Sequence, residues 1–122
     1  GLARIGTLDI IESDTIKQQI NTAMRTTMVQ SMQPRDHLCC GNMGRSEALL
    51  TAGIKLSRSE WVEEAVKLAS QTAARAEKNG SFNLSFGHGF YSPGLFQGTA
   101  GVGYHLLRLT QQAQLPAVLL LE

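Results

Sequence analysis

Two cysteines stand side by side in Leu38-Cys39-Cys40-Gly41-Asn42-Met43-Gly44-Arg45, and the chain has no others. Thiolates are ligands for soft and borderline metals. The pair lies just before a predicted helix start, where the partial positive charge of the helix N-terminus favours thiolate over thiol. Two adjacent sulfurs do not complete a tetrahedral zinc site. A third protein ligand is needed, with an open fourth position if the site is catalytic. The available nitrogen donors are His37, His88 and His105. His37 precedes the pair by two residues, a spacing that reads as too constrained to join it. His88 sits in the loop Gly87-His88-Gly89, with reach to a neighbouring turn. His105 falls inside a predicted helix. Taken alone, each histidine is more often a hydrogen-bonded structural residue than a ligand. Asp36 has the chemistry to orient an imidazole from behind, although a loop acid is usually solvated. The bland alternative for the cysteines is simple burial, since cysteine behaves as a small hydrophobe.

These residues must be positioned by helices. Residues 15–30 carry Ile16, Ile20, Ala23, Met24 and Thr27 at helical spacing, and Pro34 closes the segment. Asn42 is a candidate cap for a second helix reaching Leu56, with Leu49, Ala52, Gly53 and Leu56 on one face. Ser57 and Glu60 fit a capping box that opens a third helix. Its apolar stripe is Trp61, Ala65, Leu68, Ala69, Thr72 and Ala76; Glu63, Glu64, Lys67 and Arg75 mark the wet side. Asn79-Gly80 suits a helix C-terminus. A loop rich in Gly, Ser and aromatics follows over 81–94. A fourth helix covers 99–112, and Pro116 precedes a short apolar tail, 117–121, with a short strand as the minor alternative. The fold class expected is all-α.

An internal repeat organises these helices. Leu38-x-x-Gly41-x-x-Gly44-x-x-x-x-Leu49-Leu50 recurs as Leu95-x-x-Gly98-x-x-Gly101-x-x-x-x-Leu106-Leu107, offset by 57 residues. Helices after the Gly turns are apolar on most sides, and the others are amphipathic. That alternation fits the inner and outer layers of a helical array or an α/α toroid. The glycines are read as packing positions, where Gly98 and Gly101 allow close backbone approach. Cys39 and Cys40 align with Phe96 and Gln97. The turn therefore folds without cysteine, and the sulfurs are an addition to it.

Composition narrows the remaining classes. A chain of 122 residues is one domain in size, and 43% hydrophobic residues supply a core. A net charge of +1, with acids and bases interspersed, gives no electrostatic case for nucleic acid or an anionic membrane. No apolar run is long enough to span a bilayer. The first residues lack the pattern of a signal peptide, and the absence of a starting Met suggests a piece of a longer protein. Two adjacent cysteines do not make a disulfide framework and a vicinal disulfide is strained, so the expected setting is reduced and cytoplasmic. Gly98-x-x-Gly101-x-Gly103 lacks the preceding strand and the Lys of a nucleotide loop, so helix packing accounts for it better. Neither a Gly-x-Ser-x-Gly elbow nor a His-Glu-x-x-His motif is present.

The words Asp36-His37-Leu38-Cys39-Cys40-Gly41-Asn42-Met43-Gly44-Arg45 and the run from Ser92-Pro93-Gly94-Leu95 to Leu106-Leu107-Arg108-Leu109 resemble the C-terminal cyclase part of class II lanthipeptide synthetases. These are the bifunctional enzymes that make lantibiotic-type peptides. The ending Leu115-Pro116-Ala117-Val118-Leu119-Leu120-Leu121-Glu122 is similar to that family's C-terminus, and Gly1-Leu2-Ala3-Arg4 looks like the end of an earlier repeat. The resemblance implies an α/α toroid with a central zinc. It implies addition of a peptide cysteine thiol to dehydroalanine or dehydrobutyrine, giving a thioether ring. The usual motif is Cys-His-Gly. Here Cys39 keeps the Cys ligand position and Cys40 replaces His, as in the family's all-cysteine branch. The remaining zinc cysteine and the proposed acid/base residues of the family lie upstream, and the dehydration domain is absent.

The leading expectation is therefore that residues 1–122 are the C-terminal fragment of a zinc-dependent lanthionine cyclase, an incomplete toroid inactive alone. Its partners would be a precursor peptide with Cys and dehydrated Ser/Thr, the remainder of the synthetase, and further copies of itself covering the exposed inner helices. The second reading is a non-catalytic α-helical repeat module that binds a peptide, with structural cysteines. A third is a vicinal-dithiol redox switch.

Overall fold

In a computed structural model of the chain, the structure describes residues 2–8, 10–11, 13–84, 91–112 and 114–121. Five α-helices follow one another: α1 (Leu2–Thr7), α2 (Asp14–Val29), α3 (Asn42–Lys55), α4 (Ser59–Asn79) and α5 (Thr99–Thr110). A 3-10 turn, Val118–Leu120, comes last. No strand occurs among the described residues. The fold is all-α, as expected. The strand alternative over 117–121 is corrected: the local bonds Leu120 N–H to Ala117 O and Leu121 N–H to Val118 O close the chain into the 3-10 turn.

The expected stripe of α4 is its buried face: Trp61, Ala65, Leu68, Ala69, Thr72 and Ala76. It packs against α3, the most extensive helix contact in the molecule. Trp61 and Ala65 join Ile5, Ile20, Met24, Leu49, Leu50 and Ala52 in the main core. Each large side chain removed from water there contributes about 1.5–3 kcal/mol before the cost of ordering it. A second cluster, Met43, Ala69 and Val102, joins α3 and α4 to α5. The two helix types differ as the pattern implied. In α3 ten residues from Asn42 to Gly53 are buried, whereas α4 buries one stripe. Helix α5 buries Gly101, Val102, His105 and Arg108 but leaves Leu107 55% exposed.

Junctions explain the helix bounds. Gly53 lets the start of α4 approach closely, because a Cβ there would lie 2.7 Å from Val62 Cγ2 and 3.0 Å from Arg58 O. The capping box expected at Ser57 does not form. Ser57 has a φ of 53° and turns the chain out of α3, with Arg58 as the N-cap of α4. Asn42 likewise is not the cap of α3. Gly41 holds that position, and Asn42 is the first helical residue. Helix α4 ends at Gly80, whose φ of 79° is the left-handed geometry expected of Asn79-Gly80. Helix α1 has no counterpart in the sequence reading. It packs on α2, α3 and the 3-10 turn. No helix is long and apolar enough to cross a membrane among the described residues.

Candidate metal centre

The turn from Arg35 to Asn42 leads into the buried N-terminus of α3 and carries both cysteines. Its backbone closes on itself through Gly41 N–H to His37 O (3.0 Å) and Asn42 N–H to Arg35 O (2.9 Å). Gly41 and Gly44 permit this. A Cβ on Gly41 would lie 2.6 Å from His37 N, and one on Gly44 would collide with Leu38 O. The second turn repeats the frame: Thr99 N–H bonds to Ser92 O at 3.0 Å, and Cβ atoms on Gly98 and Gly101 would collide with Ser92 O and Leu95 O. The two turns also join, because Cys39 N–H donates to Phe96 O at 2.9 Å. The glycines thus act in packing, as the sequence suggested.

The sulfurs of Cys39 and Cys40 lie 3.2 Å apart. His37 Nδ1 lies 3.6 Å from Cys39 Sγ and 3.7 Å from Cys40 Sγ. His37 is buried, Cys39 half-buried and Cys40 exposed. The expectation that His37 is too constrained to join the pair is therefore corrected. The Gly41-to-His37 bond folds the turn back, so the imidazole and both sulfurs meet on one side. These three residues can hold a metal ion. Zinc bonds of about 2.3 Å to sulfur and about 2.0–2.1 Å to nitrogen, at tetrahedral angles, space N and S by about 3.6 Å and two sulfurs by about 3.8 Å. Both N-to-S distances already match. The S-to-S distance needs to widen by about half an ångström, a small rotation of one exposed side chain. The donor set fits zinc.

Cys40 is pushed above its ordinary value, first by its hydrogen bond to the Cys39 sulfur, then by partial burial and by the charge of Cys39; Arg35 pulls weakly the other way. The neighbouring sulfur, 3.2 Å away, is the largest cause.

Asp36 is another correction. It is 1% exposed, not solvated. Its Oδ1 takes a salt bridge from Arg75 Nη2 and a bond from Asn42 Nδ2 at 2.9 Å, and its Oδ2 accepts Asn83 N–H at 2.9 Å. Arg75, read as a residue of the wet face, also donates to Gln33 O at 2.9 Å. Asn42 pairs with the backbone of Gln33 through both ends of its amide, at 2.8 Å each. The only sequence signal for this group was its polar residues on either side of the cysteine motif.

His105 is not part of the thiol group and is fully buried. Its Nδ1 lies 2.7 Å from Glu47 Oε2 and its Nε2 2.7 Å from Ser46 Oγ. Thr51 and Arg108 complete the shell of Glu47. The membership Ser-His-Glu matches a nucleophilic triad, but Ser46 Oγ donates to Ala65 O at 2.7 Å and no substrate reaches it. This group pins α3 to α5, a structural role the sequence reading favoured. His88 lies outside the described residues.

A family model described as lanthionine synthetase C-like protein matches residues 1–120. Neither a curated protein nor a solved structure matches the chain.

Proposed function

The chain belongs to the lanthionine synthetase C-like family, and from that premise we propose that it is the C-terminal part of the zinc-dependent cyclase of a class II, bifunctional synthetase. Cys39 and Cys40 are its zinc ligands. In the all-cysteine branch a further cysteine, upstream of this sequence, would be the third; within this chain His37 is the donor in reach. The observation that supports the reading is the set of N-to-S distances, 3.6 and 3.7 Å, at the mouth of a buried helix.

Bound zinc would supply Lewis acidity, lowering the pKa of a peptide cysteine so that its thiolate adds to the β-carbon of dehydroalanine or dehydrobutyrine. The chain's own residues hold that ion and shape access to it. His37 closes the protein side, and Cys40 forms the exposed edge from which a peptide thiol approaches. Two thiolates and one imidazole balance the charge of a divalent ion. Leu95, Phe96 and Leu107 are exposed, and the remainder of the synthetase, or a second copy in its absence, covers them. The reading makes 1–122 an incomplete toroid without cyclase activity of its own, acting in the cytoplasm.

The test is the zinc content of the reduced, purified chain beside a Cys39→Ala/Cys40→Ala variant. About one equivalent, lost in the variant, is expected of a site built on these thiols. Absence of zinc from both would remove the metal from the proposal and favour the peptide-binding module with structural cysteines.

A further inference from the structure

The two Gly turns share one backbone frame, yet among the described residues only the first carries a buried carboxylate brace. Asn42 N–H to Arg35 O corresponds to Thr99 N–H to Ser92 O, 57 residues on. The caps Gly41 and Gly98 share the same extended backbone, φ −100° and −117°. Where the first turn has Asp36 the second has Pro93, and where it has Asn42 the second has Thr99. The frame therefore forms without a buried acid. The acid occurs in the copy that bears the thiols. A carboxylate that is 1% exposed is costly to bury unless it is fully partnered, and this one engages Arg75, Asn42 and Asn83 together. Asp36 is also covalently next to His37. Its own N–H bonds to Asn83 O at 2.8 Å, and its carbonyl accepts Met43 N–H at 3.4 Å.

We propose that Asp36 and Arg75, with Asn42, are positioning residues that fix the turn carrying the Cys39 and Cys40 thiols, with the His37 imidazole beside them, in its metal-binding arrangement, tying it to the outer helix α4. The proposal rests on the metal reading above. Arg75 spans the brace, because its guanidinium grips Asp36 and Gln33 O at once. The planar fork suits this double contact, which lysine does not reproduce. None of the three belongs to the group whose donor atoms could hold the ion. They set where the imidazole and the sulfurs stand, and so the entropy lost when an ion collects them.

The experiment compares wild type, Asp36→Asn/Arg75→Gln and Arg75→Lys. The double variant removes both charges together, so no orphan charge is buried. Zinc affinity is measured by competition with a chromophoric chelator, ligand geometry by the visible spectrum of the cobalt(II) form, and backbone order by amide hydrogen exchange. Expected for the double variant is a loss of about 10–100-fold in zinc affinity, an altered cobalt spectrum, and at least tenfold faster exchange at Cys39 and Gly41. The amides of Leu50 and Ala65 keep their protection, and Arg75→Lys recovers part of the affinity. Wild-type affinity, spectrum and Cys39 protection in the double variant would overturn the proposal. So would equal loss of protection in the α3–α4 core, which marks a merely structural brace. If wild type itself takes up no zinc, the metal reading fails, and exchange at Cys39 and Gly41 against the core decides the positioning role by itself.

Discussion

Gly101 and Gly103 are two residues apart in the same helix, and the same substitution should move stability in opposite directions at the two sites. A Cβ on Gly101 would collide with Leu95 O, and would lie 2.9 Å from Leu95 C and 3.0 Å from Leu38 Cβ. The main obstacle is backbone of the turn that docks on Cys39, so no flexible side-chain tip can give way. Overpacking of this kind costs about 1–3 kcal/mol, offset in part by the gain of about 0.5–1 kcal/mol for alanine over glycine in a helix. A net loss of about 1–2 kcal/mol follows. Gly103 has nothing within 4 Å of its added Cβ, so Gly103→Ala keeps only the helical gain. With a urea dependence of about 1–3 kcal/mol per molar, the unfolding midpoint should fall by about 1 M for Gly101→Ala and rise by a few tenths of a molar for Gly103→Ala. The assay is urea unfolding followed by far-ultraviolet circular dichroism, with unchanged slope in each variant. Midpoints that move in the same direction would refute the steric reasoning.

Three further outcomes follow from the geometry. Replacing His105 by Leu withdraws a partner from the buried Glu47 carboxylate and should cost about 3–5 kcal/mol; adding Glu47→Gln should cost less than the two single effects summed, and strict additivity in equilibrium unfolding would deny the coupling. In the metal-free protein the Cys39 sulfur raises Cys40, so the thiolate fraction of Cys40 at pH 8 is below that of an ordinary thiol. Cys39→Ala removes that hydrogen bond and charge, lowers the Cys40 pKa, and should speed its alkylation by iodoacetamide at pH 8; an unchanged or slower rate contradicts the cause. Ser57 occupies the left-handed region at φ 53°, so Ser57→Gly should stabilise by about 0.5–1 kcal/mol in thermal unfolding while Ser57→Ala gives no gain.

What was legible in the residues was what rests on periodicity and local chemistry. The stripe of α4 runs over sixteen residues, Trp61 to Ala76, with a period of 3.6, and periodicity alone finds it. The repeat of Gly turns was visible because steric necessity puts glycine at fixed offsets. Ser57 deceived because Ser followed by Glu three residues on is a capping signature, yet Gly53 draws Arg58 inward and forces the left-handed turn one residue earlier. Asp36 was misread because its partners Arg75 and Asn83 are 39 and 47 residues away, beyond any local rule. His37 was misread because residue spacing says little about an irregular turn. The bonds from Gly41 to His37 and from Asn42 to Arg35 fold it back, and the imidazole meets both sulfurs. Helix α1 is too short to show a period, and packing on α2 and α3 defines it.

The long-range fastenings of the thiol turn reach forward along the chain: from Asp36 to Arg75 and Asn83, and from Cys39 to Phe96. The α3–α4 pair, by contrast, closes over a short stretch of sequence. Local contacts form before distant ones, and a chain leaves the ribosome from its N-terminus. A newly made chain thus offers both sulfurs on a loose turn until Arg75, Asn83 and Phe96 have emerged. Soft ions and oxidants meet them first in that interval, so the point in synthesis at which the turn is cinched governs which cargo it keeps.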